Sequence, residues 1–304
     1  MARASGGGAM TKFAALLGLM RPAAWIKNLF ILAPLALTPQ MVIGPWEQAS
    51  SAITQTLFAL VSFCLIASAG YVFNDVVDRR VDQFHPKRRE RAIAAGIIGV
   101  PAAMTFAIVL LALGAGAAWM AGPGAALMAL LYVVLMLAYS LVLKRFSLID
   151  VVAVALGLVL RVDAGAEAAS VAPNVWLVIL VFLVGVFAAL AKRRDDVMTT
   201  LYQGTHPHLV GYNEPFLNVA TSIFLAASVI CYIVFVSDVE VMARLRTEQL
   251  HLTVPFVAAA ALRYLQVTLV DEKNGAPFDL LVRDPFTVMA AGGWVLTMAA
   301  LVYG

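Results

Sequence analysis

The stretch NDVVDRRVDQFHPKRRER, residues 74–91, closes an apolar run with an asparagine and three aspartates and then turns basic. On a helix, Asn74, Asp78 and Asp82 are spaced i, i+4, i+8 and share one face, with Asp75 beside them at i−3 from Asp78. Two bare carboxylates about 6 Å apart repel by roughly 3 kcal/mol at an effective dielectric near 20, so a positive partner is expected on that face. Arg79 and Arg80 are adjacent in sequence but point around the helix. An oxygen-seeking divalent cation suits the face better, because magnesium takes one or two carboxylates together with phosphate oxygens and keeps several waters. Asn74, Asp75, Asp78 and Asp82 are the candidate magnesium ligands, and Asp75, Asp78 and Asp82 the candidate catalytic residues. A lone D-x-x-D reads more simply as a solvated helix end. The added Asn, the third Asp and the basic run argue against that here.

Downstream, Arg88 and Arg91 lie within a loop's reach of the carboxylates and can take anionic oxygens that a metal leaves uncovered. His85 is read as a loop residue without chemistry. A second, basic constellation comprises Lys27 with Asn28 in RPAAWIKN, Tyr139 with Lys144 in YSLVLK, and Lys192 with Arg193 in AKRRDD. Any one of these cations serves equally well as a topology signal. Arg161 is different: eleven residues past Asp150, it lies about 16 Å into a bilayer at a helical rise of about 1.5 Å per residue. A charge there costs roughly 2.5–3.5 kcal/mol on insertion scales, so it should face the bundle interior. A salt bridge to another helix and a substrate contact both satisfy that requirement, whereas Asp163, two residues on, does not share its face. Carboxylates with magnesium suit a diphosphate, and separate Lys and Arg groups suit a second, metal-free phosphate. An enzyme joining two phosphorylated substrates, one of them embedded in lipid, accounts for both sets.

The elements that must carry these residues are membrane helices. The chain has 304 residues, 62% hydrophobic and 13% charged, where soluble domains carry roughly 25% charged residues. Apolar stretches near the roughly 20 residues that cross a bilayer fall at 22–43, 52–74, 97–120, 124–143, 149–168, 174–191, 216–237, 250–270 and 285–303. The expected fold is all-α: a polytopic membrane protein of about nine transmembrane helices, with none of the short alternating segments of a β-barrel. Residues 1–20 are expected to form a disordered cytoplasmic tail and 21–304 a single transmembrane domain. No secretory signal is apparent in the tail. Cys64 and Cys231 sit in separate apolar stretches and read as free thiols. Lys and Arg gather at the N-terminus and after the even-numbered stretches, which predicts a cytoplasmic N-terminus and carboxylate cluster, with the C-terminus outside.

N-D-x-x-D-x-x-x-D at residues 74–82, with RPxxWxKN at 21–28 and nine apolar stretches, resembles the UbiA superfamily of intramembrane transferases. The resemblance implies a UbiA-like bundle, magnesium and a diphosphate donor. Aromatic prenyltransferases of the superfamily carry a second acidic motif, D-x-x-x-D, where this chain reads AKRRDD at 191–196. The segments YSLVLKRFSLID, LGLVLRVDAGA, AKRRDD and DLLVRDP instead resemble the decaprenyl-phosphate phosphoribosyltransferases. In their H-P-x-K-x-x-R-P pattern this chain has HPKRRERA, with Arg88 at the lysine position, Arg91 retained and Ala92 for proline. The resemblance implies transfer of phosphoribose from phosphoribosyl pyrophosphate to a polyprenyl phosphate in a bacterial plasma membrane, on the way to envelope arabinan. It implies no nucleic-acid partner and leaves a homo-oligomer open. A UbiA-type prenyltransferase is the nearer alternative. A transporter with a cytoplasmic ion site is the more distant one, since the acids cluster at helix ends rather than at mid-membrane.

Overall fold

The computed structural model describes residues 14–84, 88–201, 211–271 and 283–303. The described residues contain helices and no strand. Nine long helices run in chain order: α1 Ala14–Ala36, α2 Trp46–Asp82, α3 Val100–Ala121, α4 Pro123–Leu141, α5 Ile149–Ala169, α6 Val175–Leu201, α7 Glu214–Ser237, α8 Leu250–Val270 and α9 Pro285–Tyr303. Helical backbone begins at Ala14, ahead of the boundary at residue 21, and the residues before it lie outside the described ones. Eight of the nine are long and apolar enough to cross a membrane on length and composition alone. The exception is α5, whose 21 residues include Asp150, Arg161, Asp163 and Glu167.

This charged helix is the centre of the bundle. It packs against α1, α2, α4 and α6, and its buried residues include Ala153, Ala155, Gly157, Ala164, Gly165, Ala166, Ala168 and Ala169. Small side chains let membrane helices approach closely, where burying larger apolar groups away from lipid gains little. At Gly165 a Cβ would collide with the Ile31 carbonyl oxygen of α1, and at Gly185 of α6 it would come 2.7 Å from Ala155 Cα.

Two departures from ordinary helix geometry position the site. Pro22–Leu32 of α1 is a 3-10 helix of 11 residues, although such runs seldom exceed 3–4 residues. Side chains at i and i+3 eclipse in that geometry, so Trp25, Asn28 and Ile31 form one row facing α2 and α5. Trp25 Nε1 donates to Ser68 Oγ at 3.1 Å, Asn28 Nδ2 reaches Cys64 Sγ at 3.2 Å, and Ile31 is fully buried. The second departure is length. With 37 residues, α2 extends about 55 Å against a hydrocarbon core of about 30 Å. Its last turns therefore project past the apolar layer and carry Asn74, Asp75, Asp78 and Asp82 out with them. Both cysteines are free, as expected.

Candidate active site

The three carboxylates and one amide at the end of α2 divide by the cations they meet. At about 100° per residue, Asn74, Asp78, Asp82 and Asp75 follow one another around the helix within an arc of about 100°. The four share one face, as the spacing predicts, and it is their partners that divide it. Asp75 and Asp82 are buried, at 3% and 2% exposed, and one guanidinium spans them: Arg91 Nη1 lies 3.0 Å from Asp75 Oδ1 and 2.7 Å from Asp82 Oδ2. Arg21 Nη2 approaches the same Asp75 oxygen at 2.5 Å. On the same face, Lys144 Nζ donates to Asp78 Oδ1 at 2.6 Å and to Asn74 Oδ1 at 3.1 Å, while Asn74 Nδ2 donates to Asp78 Oδ2 at 3.0 Å. The positive partners that the spacing demands are present in the protein itself. Among the described residues no three Asp, Glu, His or Cys converge as a metal cage. Oxygen donors in pairs nonetheless fit magnesium, which needs only one or two carboxylates when phosphate oxygens complete its shell.

Local packing explains why these cations arrive. Beyond Arg91, Ile93 and Ile98 are buried in a cluster with Leu19, Ala69 and Val72. Backbone bonds from Ala95 N to Arg91 O and from Ile98 N to Ala92 O fold that loop tightly against α2. Lys144 sits in a one-turn 3-10 segment, Leu143–Arg145, directly after α4. Arg21, at the first position of the RPxxWxKN motif, counts only as a topology charge in the sequence reading, yet here it lies on the carboxylates and over the Tyr71 ring at 5.1 Å. Its place in that motif is the signal that identifies it. Arg88 falls further out, 4.0 Å from Asp196 of α6. Lys27 is half-buried beside Asn28. His85 and Lys87 lie outside the described residues.

The cations of α6 divide sharply. Arg193 is held on three sides, by Asp150 (2.6 Å from Nε), Asp196 (3.1 Å from Nη1) and Tyr139 Oη (2.9 Å from Nη2). Arg194 is buried and donates to Asn218 Oδ1 and to the Thr268 carbonyl. Thr268 lies in a π-helical turn, Gln266–Val270, that closes α8. Lys192 is exposed, and among the described residues no carboxylate lies within 4.0 Å of it. The charges that reach it are those of Asp196, Arg193, Arg88 and Arg21, three of them positive. Lys192 and Arg193 thus differ in role despite being adjacent, since neighbours on a helix point about 100° apart.

Arg161 faces the bundle interior, as expected, but no salt bridge to another helix holds it among the described residues. It is 5% exposed. Nε donates to Asn28 Oδ1 at 2.7 Å, Nη1 to the Gly157 carbonyl and Nη2 to Tyr132 Oη at 2.9 Å. The guanidinium carbon stands 4.5 Å from the Tyr132 ring centroid and 5.8 Å from that of Phe63. Polar oxygens and ring faces stabilise the buried charge in place of a carboxylate.

A helical bundle that gathers its carboxylates and cations at one end of long apolar helices is the architecture of an intramembrane transferase. The chain belongs to the UbiA prenyltransferase family, whose model matches residues 29–277. It is 30% identical over 288 residues to the decaprenyl-phosphate phosphoribosyltransferase of Mycobacterium tuberculosis, covering 93% of this chain and 92% of that one. The Corynebacterium glutamicum protein of the same name is 29% identical over 289 residues, covering 93% and 85%. Among solved structures, a UbiA homolog from Archaeoglobus fulgidus bound to GPP and Mg2+ has the same fold, with a TM-score of 0.68 at 19% identity over 95% of this chain and 100% of that one. The chain is an integral membrane enzyme of the transferase class, and its fold is the expected UbiA-like bundle.

Proposed function

We propose that this enzyme transfers 5-phosphoribose from phosphoribosyl pyrophosphate to a polyprenyl phosphate of decaprenyl type and releases pyrophosphate. The observation that carries the reading is the division of charge. One cation set (Arg21, Arg91 and Lys144) lies against the α2 carboxylates, while Lys192 on α6, within electrostatic reach of Arg21 and Arg88, has no carboxylate within 4.0 Å among the described residues. That α6 position is where a prenyltransferase of the family would carry further acid. The relatives that span most of the chain and bear the phosphoribosyltransferase name support the same reading.

Asn74, Asp75, Asp78 and Asp82 are the residues that would hold magnesium, which supplies charge neutralisation on the leaving diphosphate. Arg21, Arg91 and Lys144 orient the donor by binding its phosphate oxygens, releasing part of their hold on the aspartates as they do so. Lys192 receives the phosphate of the acceptor lipid. The ribose C1–O bond breaks with its electron pair leaving on pyrophosphate, and an ionised oxygen of the lipid phosphate forms the new bond to C1. No proton is transferred, so no general base is required. Arg88, Lys27, Asn28 and Tyr139 line or brace the same end, and Arg161 secures Asn28 from below. We place this end in the cytoplasm of a bacterial plasma membrane, where the hydrophilic donor is found and where the product would enter arabinan precursor synthesis.

Thermal unfolding tests the donor. Phosphoribosyl pyrophosphate with magnesium is expected to raise the unfolding temperature, because a ligand bound only by the folded state stabilises it by mass action. Ribose 5-phosphate, without a diphosphate, should protect much less. Strong protection by a prenyl diphosphate with none by phosphoribosyl pyrophosphate at millimolar levels would replace this reading with that of a prenyltransferase.

A further inference from the structure

A chain of contacts at the polar end of the bundle has no part in the transfer chemistry above. Tyr212 lies just ahead of α7, and its hydroxyl is 2.7 Å from the Leu148 amide nitrogen and 2.6 Å from Asp150 Oδ1. An amide can only donate and a tyrosine hydroxyl has one proton, so the direction is fixed. Leu148 N–H donates to Tyr212, and Tyr212 donates to Asp150. Burial, followed by the bond to Asp150, pushes the Tyr212 hydroxyl well above its ordinary pKa and keeps that proton in place. The second oxygen of Asp150 accepts from Arg193 Nε at 2.6 Å. Asp150 is 1% exposed, so these donors satisfy a carboxylate that would otherwise be buried bare.

The clasp also holds strained backbone. Leu148 has φ 69 and ψ −43, a left-handed region costly for a residue with a Cβ. Gly211, at φ 96, lies flat on the same turn, where a Cβ would meet Ser147 Oγ at 2.8 Å. That turn follows directly on Lys144, which donates to Asp78. At the other end of the chain of contacts, Arg193 reaches Asp196, and Asp196 faces Arg88 at 4.0 Å.

We propose that Tyr212 is a positioning residue for the transfer site: through Leu148 and Asp150 it holds the Lys144 turn and the Arg193 guanidinium in register with the carboxylates of α2. The kinetic consequence rests on the proposed function, whereas the clasp itself does not. The test uses the full-length chain in detergent and the variant Tyr212→Phe, which keeps the ring and its packing on Val151, Val186 and Leu217. Hydrogen–deuterium exchange should quicken at residues 146–150 and stay unchanged in α3. In steady-state transfer, KM for one phosphorylated substrate should rise about tenfold, the scale of a lost hydrogen bond to a charged group, with kcat little changed. Arg193→Met combined with Tyr212→Phe should lose no more than the worse single variant, within about twofold. Leu148→Gly, which adopts the turn without strain, should recover part of the Tyr212→Phe loss. Unchanged exchange at the turn overturns the clasp. Losses that multiply, or faster exchange with unaltered KM, overturn its role in positioning. Should the wild-type chain move no phosphoribose, the proposed function fails, while the exchange comparison still decides the clasp.

Discussion

Lys144 Nζ lies 2.6 Å from Asp78 Oδ1 across 66 residues of chain. A lysine thus lies on the carboxylate face where the sequence spacing points to a metal. Both side chains are mostly buried, at 9% and 17% exposed, so the pair is held in a medium where losing one partner is costly. Under the proposed function an incoming diphosphate would offer Lys144 a second anion, so that the site stays charge-balanced before and after substrate arrives.

The pair yields a stability prediction that is separable from activity. Lys144→Met leaves Asp78 without its cation and should destabilise the protein by about 3–5 kcal/mol. Combining it with Asp78→Asn removes the stranded charge, so thermal stability should largely return while transfer stays abolished. A Lys144→Met variant that unfolds at the wild-type temperature would show that the pair is not formed.

Arg161 should behave differently, since its partners are an amide oxygen, a carbonyl and a phenol rather than a carboxylate. Arg161→Met strands no counter-charge. Its cost should be about 1–3 kcal/mol, the scale of acceptors left unpaired in a buried setting. Arg161→Lys should recover part of that loss but not the planar contact with Tyr132. A loss in Arg161→Met as large as that in Lys144→Met, measured by the same thermal assay, would point to an anionic partner for Arg161.

Lys192 and Arg193 are neighbours that should separate on mutation. Arg193→Ala removes the partner of buried Asp150 and should lower the unfolding temperature. Lys192→Ala removes a cation with no carboxylate within 4.0 Å among the described residues and should leave stability nearly unchanged, while raising KM for the polyprenyl phosphate. A Lys192→Ala enzyme with wild-type lipid KM would make this residue a topology signal only.

Much of this was legible in the sequence because membrane helices announce themselves by composition. The nine apolar stretches match the nine long helices, including α5, whose charges exclude it from a purely apolar criterion. The i, i+4, i+8 spacing placed Asn74, Asp78 and Asp82 at one helix end correctly. It could not show that Asp75 and Asp82 would be joined by Arg91, because a loop's return path depends on where Ile93 and Ile98 bury themselves. Arg161 was legible as buried, but its partners were not, since Asn28 and Tyr132 come from helices 133 and 29 residues away in sequence. Tyr212 left no signal at all. A tyrosine ahead of a helix is unremarkable until Leu148 and Asp150 are brought to its hydroxyl by the packing of α5 against α6 and of α6 against α7.

The most direct measurement offers the purified protein radiolabelled phosphoribosyl pyrophosphate, a polyprenyl phosphate and magnesium, then extracts the lipid. The account predicts a labelled lipid and an equal amount of released pyrophosphate, both absent in excess chelator and both absent in a folded Asp78→Ala variant. An unlabelled lipid under conditions where the same preparation consumes a prenyl diphosphate, or full labelling in excess chelator, would contradict it.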